Sequence, residues 1–352
     1  MIKQDLKSLN RNKLINWFKK EKFPGFRAEQ VFNWIYKHGV DSFKNMNNLP
    51  EKLRSDLEKK TSVKSNLFLD KALHARDGTI KYLWNLSDCE TVESVYLPFE
   101  EDNRHSVCIS TQVGCAMNCK FCATGKGGLV RNLSTGEIID QVLEIQKDIS
   151  NDKFGEPRIS NVVFMGMGEP LANFDKVLKA INILNDEKGL DIGIRKITVS
   201  TSGLVPEIRK LADLNLQLVL AVSLNAPNDL LRNSLMPINK KYPLVERFSA
   251  VRYYIENTNR RVTFEYILID DVNDSPEQAN ELVGLLKGIK CHINLIPLNP
   301  VKGVKFKRPF RERTGHFRDI IEKNGIATTI RQERGVEIEA ACGQLRHLKS
   351  KG

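Results

Sequence analysis

The apolar positions of this chain change their period twice. In RAEQVFNWIYKHG, residues 27–39, Ala28, Val31, Phe32 and Ile35 fall at i, i+3, i+4 and i+7, which predicts an amphipathic helix with Gly39 as its C-cap. NLPEKLRSDLEKK predicts a further short helix with Pro50 near its start. From about residue 65 the period becomes two. KALHAR-DG-TIKYLWNL reads as a hairpin turning at Asp77-Gly78, and TVESVYLP reads as another strand.

After residue 105, short β-rich apolar runs alternate with amphipathic helical stretches. The pairs are SVCIS with EIIDQVLEIQKDI, ISNVVFMG with FDKVLKAINIL, KITVST with VPEIRKLADL, LQLVLAVSL with VERFSAVRYYIE, RVTFEYILI with EQANELVGLLK, and CHINLIPL with HFRDIIEKNG, before a final ATTIR. Strands this apolar, spaced by helices, predict a parallel α/β architecture; six of them up to INLIPL predict a partial (β/α)6 TIM-like barrel. Three regions result: a small basic helical accessory module over 1–64, a linking β segment over 65–104, and the barrel with a C-terminal segment over 105–352. In such barrels chemistry gathers at the C-terminal ends of the strands. GMGEP at 166–170, Ser200 to Ser202, Ser223-Leu224-Asn225 and Asn299 all stand at such ends, so one mouth would collect them.

Composition narrows the class. Hydrophobic residues at 41% and charged residues at 28% are those of a globular protein and exclude disordered or collagen-like chains. Lys and Arg outnumber Asp and Glu by 54 to 43, and the formal charge of +11 favours polyanionic partners, while a merely soluble basic surface would read the same way. No apolar stretch approaches the roughly 18 residues of a membrane span, and the opening MIKQDLKSLNRNKLINWF lacks a secretory apolar region. A cytoplasmic protein without membrane contact is therefore expected. Seven scattered cysteines then read as reduced thiols, metal ligands or catalytic groups.

Three of the seven stand together. GCAMNCKFCATGKGG, residues 114–128, spaces Cys115, Cys119 and Cys122 as C-x3-C-x2-C directly after the first barrel strand. Structural zinc sites close with four ligands, and ferredoxin-type clusters use four cysteines. Three thiolates on a 4Fe-4S cluster leave one iron open to a substrate or cofactor. GMGEP offers glycines that let backbone approach a ligand, and Glu169 as acceptor for an ammonium; a tight turn would look similar. It is not a dinucleotide fingerprint, because Leu171 stands where the third glycine belongs, and GKGG is no Walker motif, because Gly127 follows Lys126.

C-x3-C-x2-C after the first strand of a partial barrel resembles the radical S-adenosylmethionine (SAM) superfamily, in which the amino and carboxylate groups of SAM chelate the open iron. RQERGVEIEAACGQL, residues 331–345, is similar to the C-terminal motif of the RlmN family of adenine carbon-2 RNA methyltransferases. VESVYLP, SVCISTQVGCAMNCKFCATGKGG, GMGEP, TVSTSGLVP, MPINKKYP, IDDVND and NLIPLNP extend the likeness over nearly the whole chain.

The resemblance implies a reaction. Carbon 2 of adenine, between two ring nitrogens, is too electron-poor for polar methyl transfer. In the family a first SAM methylates a cysteine, and a second is cleaved reductively to a radical that takes a hydrogen from the S-methyl group. The resulting carbon radical adds to the adenine.

The resemblance also implies roles. Cys342 matches the methyl carrier, although alone it would read as a buried structural thiol. Cys108 matches the cysteine that resolves the protein–RNA adduct by a disulfide with the carrier; otherwise it is an inward-facing strand residue. Glu93 shares an apolar strand face with Val95 and Leu97, where desolvation raises a carboxylate's pKa, and matches the base that removes the carbon-2 proton; an edge strand is the plainer explanation. Cys115, Cys119 and Cys122 match the cluster ligands, and Gly168, Glu169, Ser200, Ser223, Leu224, Asn225 and Asn299 match the SAM contacts. Where the family usually reads Ser-Leu-His, this chain has Ser-Leu-Asn, so an amide must replace an imidazole nitrogen at Asn225. Cys89 and Cys291 match no motif position.

The implied partners are 23S rRNA in its peptidyl-transferase region, tRNA at adenosine 37, and an electron donor such as a flavodoxin or ferredoxin, for a monomeric enzyme. KGVKFKRPFRER, residues 302–313, with Phe306 and Phe310 for stacking, and the N-terminal module are the expected RNA contacts. Two other readings use the same residues. A Cfr-type enzyme would methylate adenine carbon 8, but Pro170 stands where such proteins tend to have alanine. A non-catalytic RNA-binding protein with structural zinc would leave Cys342 without a purpose.

Overall fold

The computed structural model describes residues 3–150 and 157–346. Helices α1 (Arg11–Lys20), α2 (Gly25–Tyr36) and α3 (Glu51–Lys60) form the N-terminal part, joined by a short parallel pair, β1 (Gln4–Asp5) with β2 (Thr61–Ser62). Ala28, Val31, Phe32 and Ile35 are buried on α2 as their spacing predicts. The helix caps at Lys37, however, and Gly39, with φ of +62°, lies beyond it. Pro50 caps α3.

The hairpin of β3 (Leu67–His74) and β4 (Ile80–Leu86) turns at Gly78, whose φ is +79°. β5 (Thr91–Phe99) and β6 (Arg104–Cys108) continue the antiparallel run. A separate antiparallel ribbon, β7 (Gln112–Gly114) with β8 (Leu129–Asn132), frames the cysteine loop; nothing in the hydrophobic pattern announced it. The parallel strands β9 (Asn161–Phe164), β10 (Ile197–Thr201), β11 (Val219–Ser223), β12 (Val262–Leu268), β13 (Cys291–Pro297) and β14 (Thr328–Ile330) then follow in order from β6. The six expected barrel strands are β6 and β9 to β13, and β14 adds a seventh. The sheet stays open, with β14 and β3 as its edges.

Helices α4 (Thr135–Ile149), α5 (Phe174–Leu184), α6 (Val205–Asp213), α7 (Asp229–Leu235), α8 (Leu244–Thr258), α9 (Pro276–Leu286) and α10 (Arg311–Lys323) connect the strands. Capping boxes fix the starts of α4, through Ser134 and Glu137, and α9, through Ser275 and Gln278. One apolar core runs from the N-terminal helices through the barrel. A buried ion pair between Lys7 and Asp140 of α4 docks the N-terminal part on the barrel. Asn66 holds the second carboxylate oxygen of Asp140 with its N–H at 2.8 Å and its side chain at 2.9 Å.

Candidate active site

The cysteine loop is shaped by glycine. Gly114 ends β7 at φ +73°, and a β-carbon there would stand 2.0 Å from the Gly128 oxygen, so the ribbon closes only because that carbon is missing. Cys115 N–H donates to Gly128 O at 2.7 Å, Cys122 N–H to Cys119 O at 3.1 Å, and Lys120 N–H to Leu235 O at 2.9 Å. Phe121, Leu235, Met236 and Leu298 surround Cys119 and Cys122. Burial pushes the Cys115 thiol up to about 12 and raises Cys119 as well, with the neighbouring thiols and Glu169 adding to both.

Among the described residues no three His, Cys, Asp or Glu converge as a single-ion site requires. Three thiols that sense one another within an apolar shell fit a 4Fe-4S cluster, which holds its thiolates further apart and is tuned by the dryness around it.

A cavity of about 140 Å³ is lined by Gly168, Glu169, Ser200, Ser202 and Cys342 among others. Gly168 has φ of +98°, and a β-carbon there would meet Gln112 Cβ at 2.6 Å; one on Gly166 would meet the Ile109 backbone at 2.7 Å. The glycines of GMGEP thus answer first to close packing against residues 109–112. Glu169 is buried, which raises its pKa, and Ser202 opposes the rise by donating its N–H and its hydroxyl to Oε2, both at 2.7 Å. Leu171 N–H reaches Oε1 at 3.1 Å. A carboxylate has acceptor capacity beyond these three bonds. Asn299 donates Nδ2 to Cys342 O at 3.1 Å, while its buried Oδ1 has no partner, an orphaned acceptor suited to a polar ligand such as SAM.

Ser223, Leu224 and Asn225 line neither this cavity nor the neighbouring one. The carbonyls of Ser223 and Leu224 are held at 2.7 Å by the buried Arg232, which also binds Ser202 O at 2.9 Å. Asn225 adopts φ of +60°; its Oδ1 accepts from Ile267 N–H at 2.8 Å and its Nδ2 contacts Met236 Sδ at 3.2 Å. Its amide is thus committed within the protein.

Cys342 also lines a second cavity, of about 280 Å³, with Val95, Leu97, Cys108, Asn299 and Arg331. The segment that carries it is tied to the cysteine loop: Ala123 N–H donates to Gly343 O at 2.8 Å and Thr124 Oγ1 to Leu345 O at 2.6 Å. Burial pushes the Cys108 thiol up to about 12, and the adjacent Cys342 contributes to the rise against Arg331. Arg331 is itself held above its ordinary range by Cys342 first, then by Glu265 and Cys108, against its own desolvation. No disulfide is formed among the described residues.

Glu93 is buried on β5, where it forms an ion pair with the buried Lys81 at 3.3 Å and accepts Arg346 N–H at 2.9 Å, and it lines neither cavity. Lys81 and Arg331 escaped the sequence reading. Lys81 sits one pleat from Glu93, since Leu83 faces Glu93 across the β4–β5 pair, so hairpin register held the signal; Arg331 carried none beyond its place after β14. Of the two stacking candidates, Phe306 packs into the apolar shell and Phe310 is 72% exposed. No helix among the described residues is long and apolar enough to cross a membrane.

Comparison with known proteins agrees with this geometry. Residues 4–63 match the ribosomal RNA large subunit methyltransferase N-terminal domain, and residues 109–283 match the radical SAM superfamily. The chain is 52% identical to the probable dual-specificity RNA methyltransferase RlmN of Symbiobacterium thermophilum, over 92% of this chain and 86% of the relative. It is 50% identical to the protein of the same name from Alkaliphilus oremlandii, over 92% and 93%. A crystal structure of a radical SAM methyltransferase from Sphaerobacter thermophilus superposes with a TM-score of 0.92 at 45% identity, covering 97% of this chain and 99% of that one. With two motif-bearing cysteine segments clasped around one pair of cavities and this extent of likeness, the chain belongs to the RlmN family of the radical SAM superfamily.

Proposed function

We propose that this protein methylates carbon 2 of adenosine in 23S rRNA and at position 37 of tRNA, using two SAM molecules and carrying the methyl group on Cys342. The observation that carries the reading is that Cys342 lines both cavities, the smaller with Gly168, Glu169 and Ser200 and the larger with Cys122 of the cysteine loop and with Cys108. Relatives at about half identity are named dual-specificity RNA methyltransferases, which supports RNA as substrate.

Cys115, Cys119 and Cys122 would hold the 4Fe-4S cluster, and Gly168, Glu169, Ser200 and Asn299 would hold SAM. When bound, the cluster supplies the single electron that reductive SAM cleavage requires. Cys342 takes its methyl group as a thiolate, forming an S–C bond as the sulfonium bond breaks, in a cavity that Arg331 also lines. Small neighbours, Ala340, Ala341 and Gly343, leave the sulfur open to bulky reactants. Glu93, kept basic by burial, takes the carbon-2 proton of the adenine adduct. Cys108 loses its thiol proton and joins the Cys342 sulfur: an S–S bond forms, the C–S bond to the adduct breaks, the freed carbon takes up a proton to become the methyl group, and the adduct's unpaired electron would return to the cluster that Cys115, Cys119 and Cys122 would hold. The helical module over 1–64 is assigned to RNA contact, the β segment over 65–104 to carrying Glu93, and the remainder to the catalytic core.

The test is mass spectrometry of nucleosides from unmodified 23S rRNA fragment and tRNA after anaerobic incubation with reconstituted protein, SAM and a reductant. The expected product is 2-methyladenosine, absent with Cys342→Ala. An 8-methyladenosine product would assign Cfr-type chemistry instead, and bound zinc without methylated adenine would overturn the enzyme reading.

A further inference from the structure

The cavity lined by Cys342 and Cys108 shares Pro297 and the run from Arg331 to Arg334 with another. This outer groove, of about 690 Å³, has five arginines in its wall, Arg308, Arg311, Arg318, Arg331 and Arg334, against two carboxylates. Both carboxylates are engaged. Asp77 accepts from the N–H groups of Thr79 and Gly335, each at 3.0 Å, and Glu333 pairs with Arg308. Arg311 makes no ion pair or hydrogen bond among the described residues. Arg334 donates Nη1 to Pro98 O at 2.8 Å, and its enclosed Nε has no partner. Burial, together with the nearby Arg311, lowers the Arg308 guanidinium below its ordinary range.

Guanidinium groups gathered in excess of carboxylates repel one another, and a bound polyanion offsets that cost; their planar forks match phosphate oxygens. Arg104 and Arg334 both stack on the ring of Phe99, at 4.0 and 4.4 Å from its centroid.

We propose that this groove binds the backbone phosphates flanking the adenosine whose base enters the Cys342 cavity. The assignment rests on the RNA reading above and adds to it the site that grips the strand. An enzyme working on a base must extrude it and hold the nucleotide out of the stack, and a groove sharing a wall with the base cavity reaches the phosphates adjoining that nucleotide.

The test uses the full-length protein, an RNA stem–loop bearing the unmodified adenosine, and the double variant Arg308→Ala/Arg311→Ala. SAM binding without RNA reports that the variant is folded. RNA affinity should fall about tenfold or more, and the slope of log affinity against log salt should shrink by about 1.4, the value for two single-strand phosphate contacts. A second RNA with neutral methylphosphonate linkages beside the adenosine should weaken binding to the unaltered protein similarly and weaken the variant no further. That arm holds even where the variant fails to fold, because it needs only the native chain. Unchanged affinity in the folded variant, no effect of neutral linkages on native protein, or equal losses from neutral linkages in both proteins would overturn the groove while leaving adenine methylation standing. Native protein that neither binds the RNA nor yields methylated adenine would remove both readings together.

Discussion

Lys81 Nζ stands 3.3 Å from Glu93 Oε1 in a site where both side chains are almost wholly enclosed. Burial raises the Glu93 pKa, and Lys81 first and Arg346 second oppose that rise without cancelling it. Because the folded state holds this proton more tightly than the unfolded chain, the contribution to stability is present below the ordinary carboxylate range and is lost as pH climbs through the raised value. The proposed role as base works in the opposite sense, since only the carboxylate accepts a proton. Removing the cation with Lys81→Met should therefore move the rising limb of the pH–rate profile to higher pH. Glu93→Gln should lower the rate about 100-fold or more with Cys342 methylation intact, as read by protein mass. A Lys81→Met profile that shifts to lower pH would rule out this electrostatic account.

The pair of Lys7 and Asp140 is a buried polar link between the N-terminal part and the barrel, and Tyr36 OH donates to Lys7 O at 3.1 Å beside it. Asp140→Ala leaves Lys7 enclosed without its counter-charge, which should cost about 3–5 kcal/mol in urea unfolding. Lys7→Met with Asp140→Leu removes both charges and should recover most of that loss. If the double change is as damaging as the single one, the pair's role lies in geometry rather than in charge.

These two contacts show what the sequence could reveal. Period and turn chemistry sufficed for α2, α3, the 77–78 hairpin and the parallel strands, because each is a local pattern repeated over many residues. The β7–β8 ribbon was hidden since Leu129 to Asn132 lie mostly at the surface and carry no alternating burial, and α7 is only seven residues long. The cysteine trio was legible as a motif, but its attachment to Gly343 and Leu345 depends on residues more than two hundred positions apart. Partners far apart in the chain, Lys7 with Asp140 among them, leave no local trace.

Asn225 separates a structural role from a binding role. At φ +60° it adopts a conformation that Asn tolerates better than most residues, and its Oδ1 is the acceptor for Ile267 N–H. Asn225→Ala leaves that buried donor orphaned and should cost about 2–4 kcal/mol of stability, with the KM for SAM unchanged well below the unfolding temperature. Asn225→His keeps a nitrogen acceptor and should fall between the two. An Asn225→Ala protein with native stability and a severalfold higher KM for SAM would show that the side chain reaches the ligand.

Two glycines of opposite environment test whether close packing or mere flexibility governs the SAM-side loop. At Gly168 a β-carbon would meet Gln112 at 2.6 Å, on a backbone already at φ +98°. Gly168→Ala adds overpacking to a strained dihedral, and should cost about 3 kcal/mol together with most SAM binding. Gly284, inside α9, has nothing within 4 Å of its would-be β-carbon and an ordinary helical φ. Gly284→Ala should raise stability by about 0.4–1 kcal/mol, chiefly by restricting the unfolded chain, and leave SAM binding unchanged. Thermal unfolding and SAM titration of the two variants separate the effects, because the same methyl group is added in both. A Gly168→Ala protein that binds SAM normally would mean that the 109–112 backbone can yield, and that the loop's shape is not set by this contact.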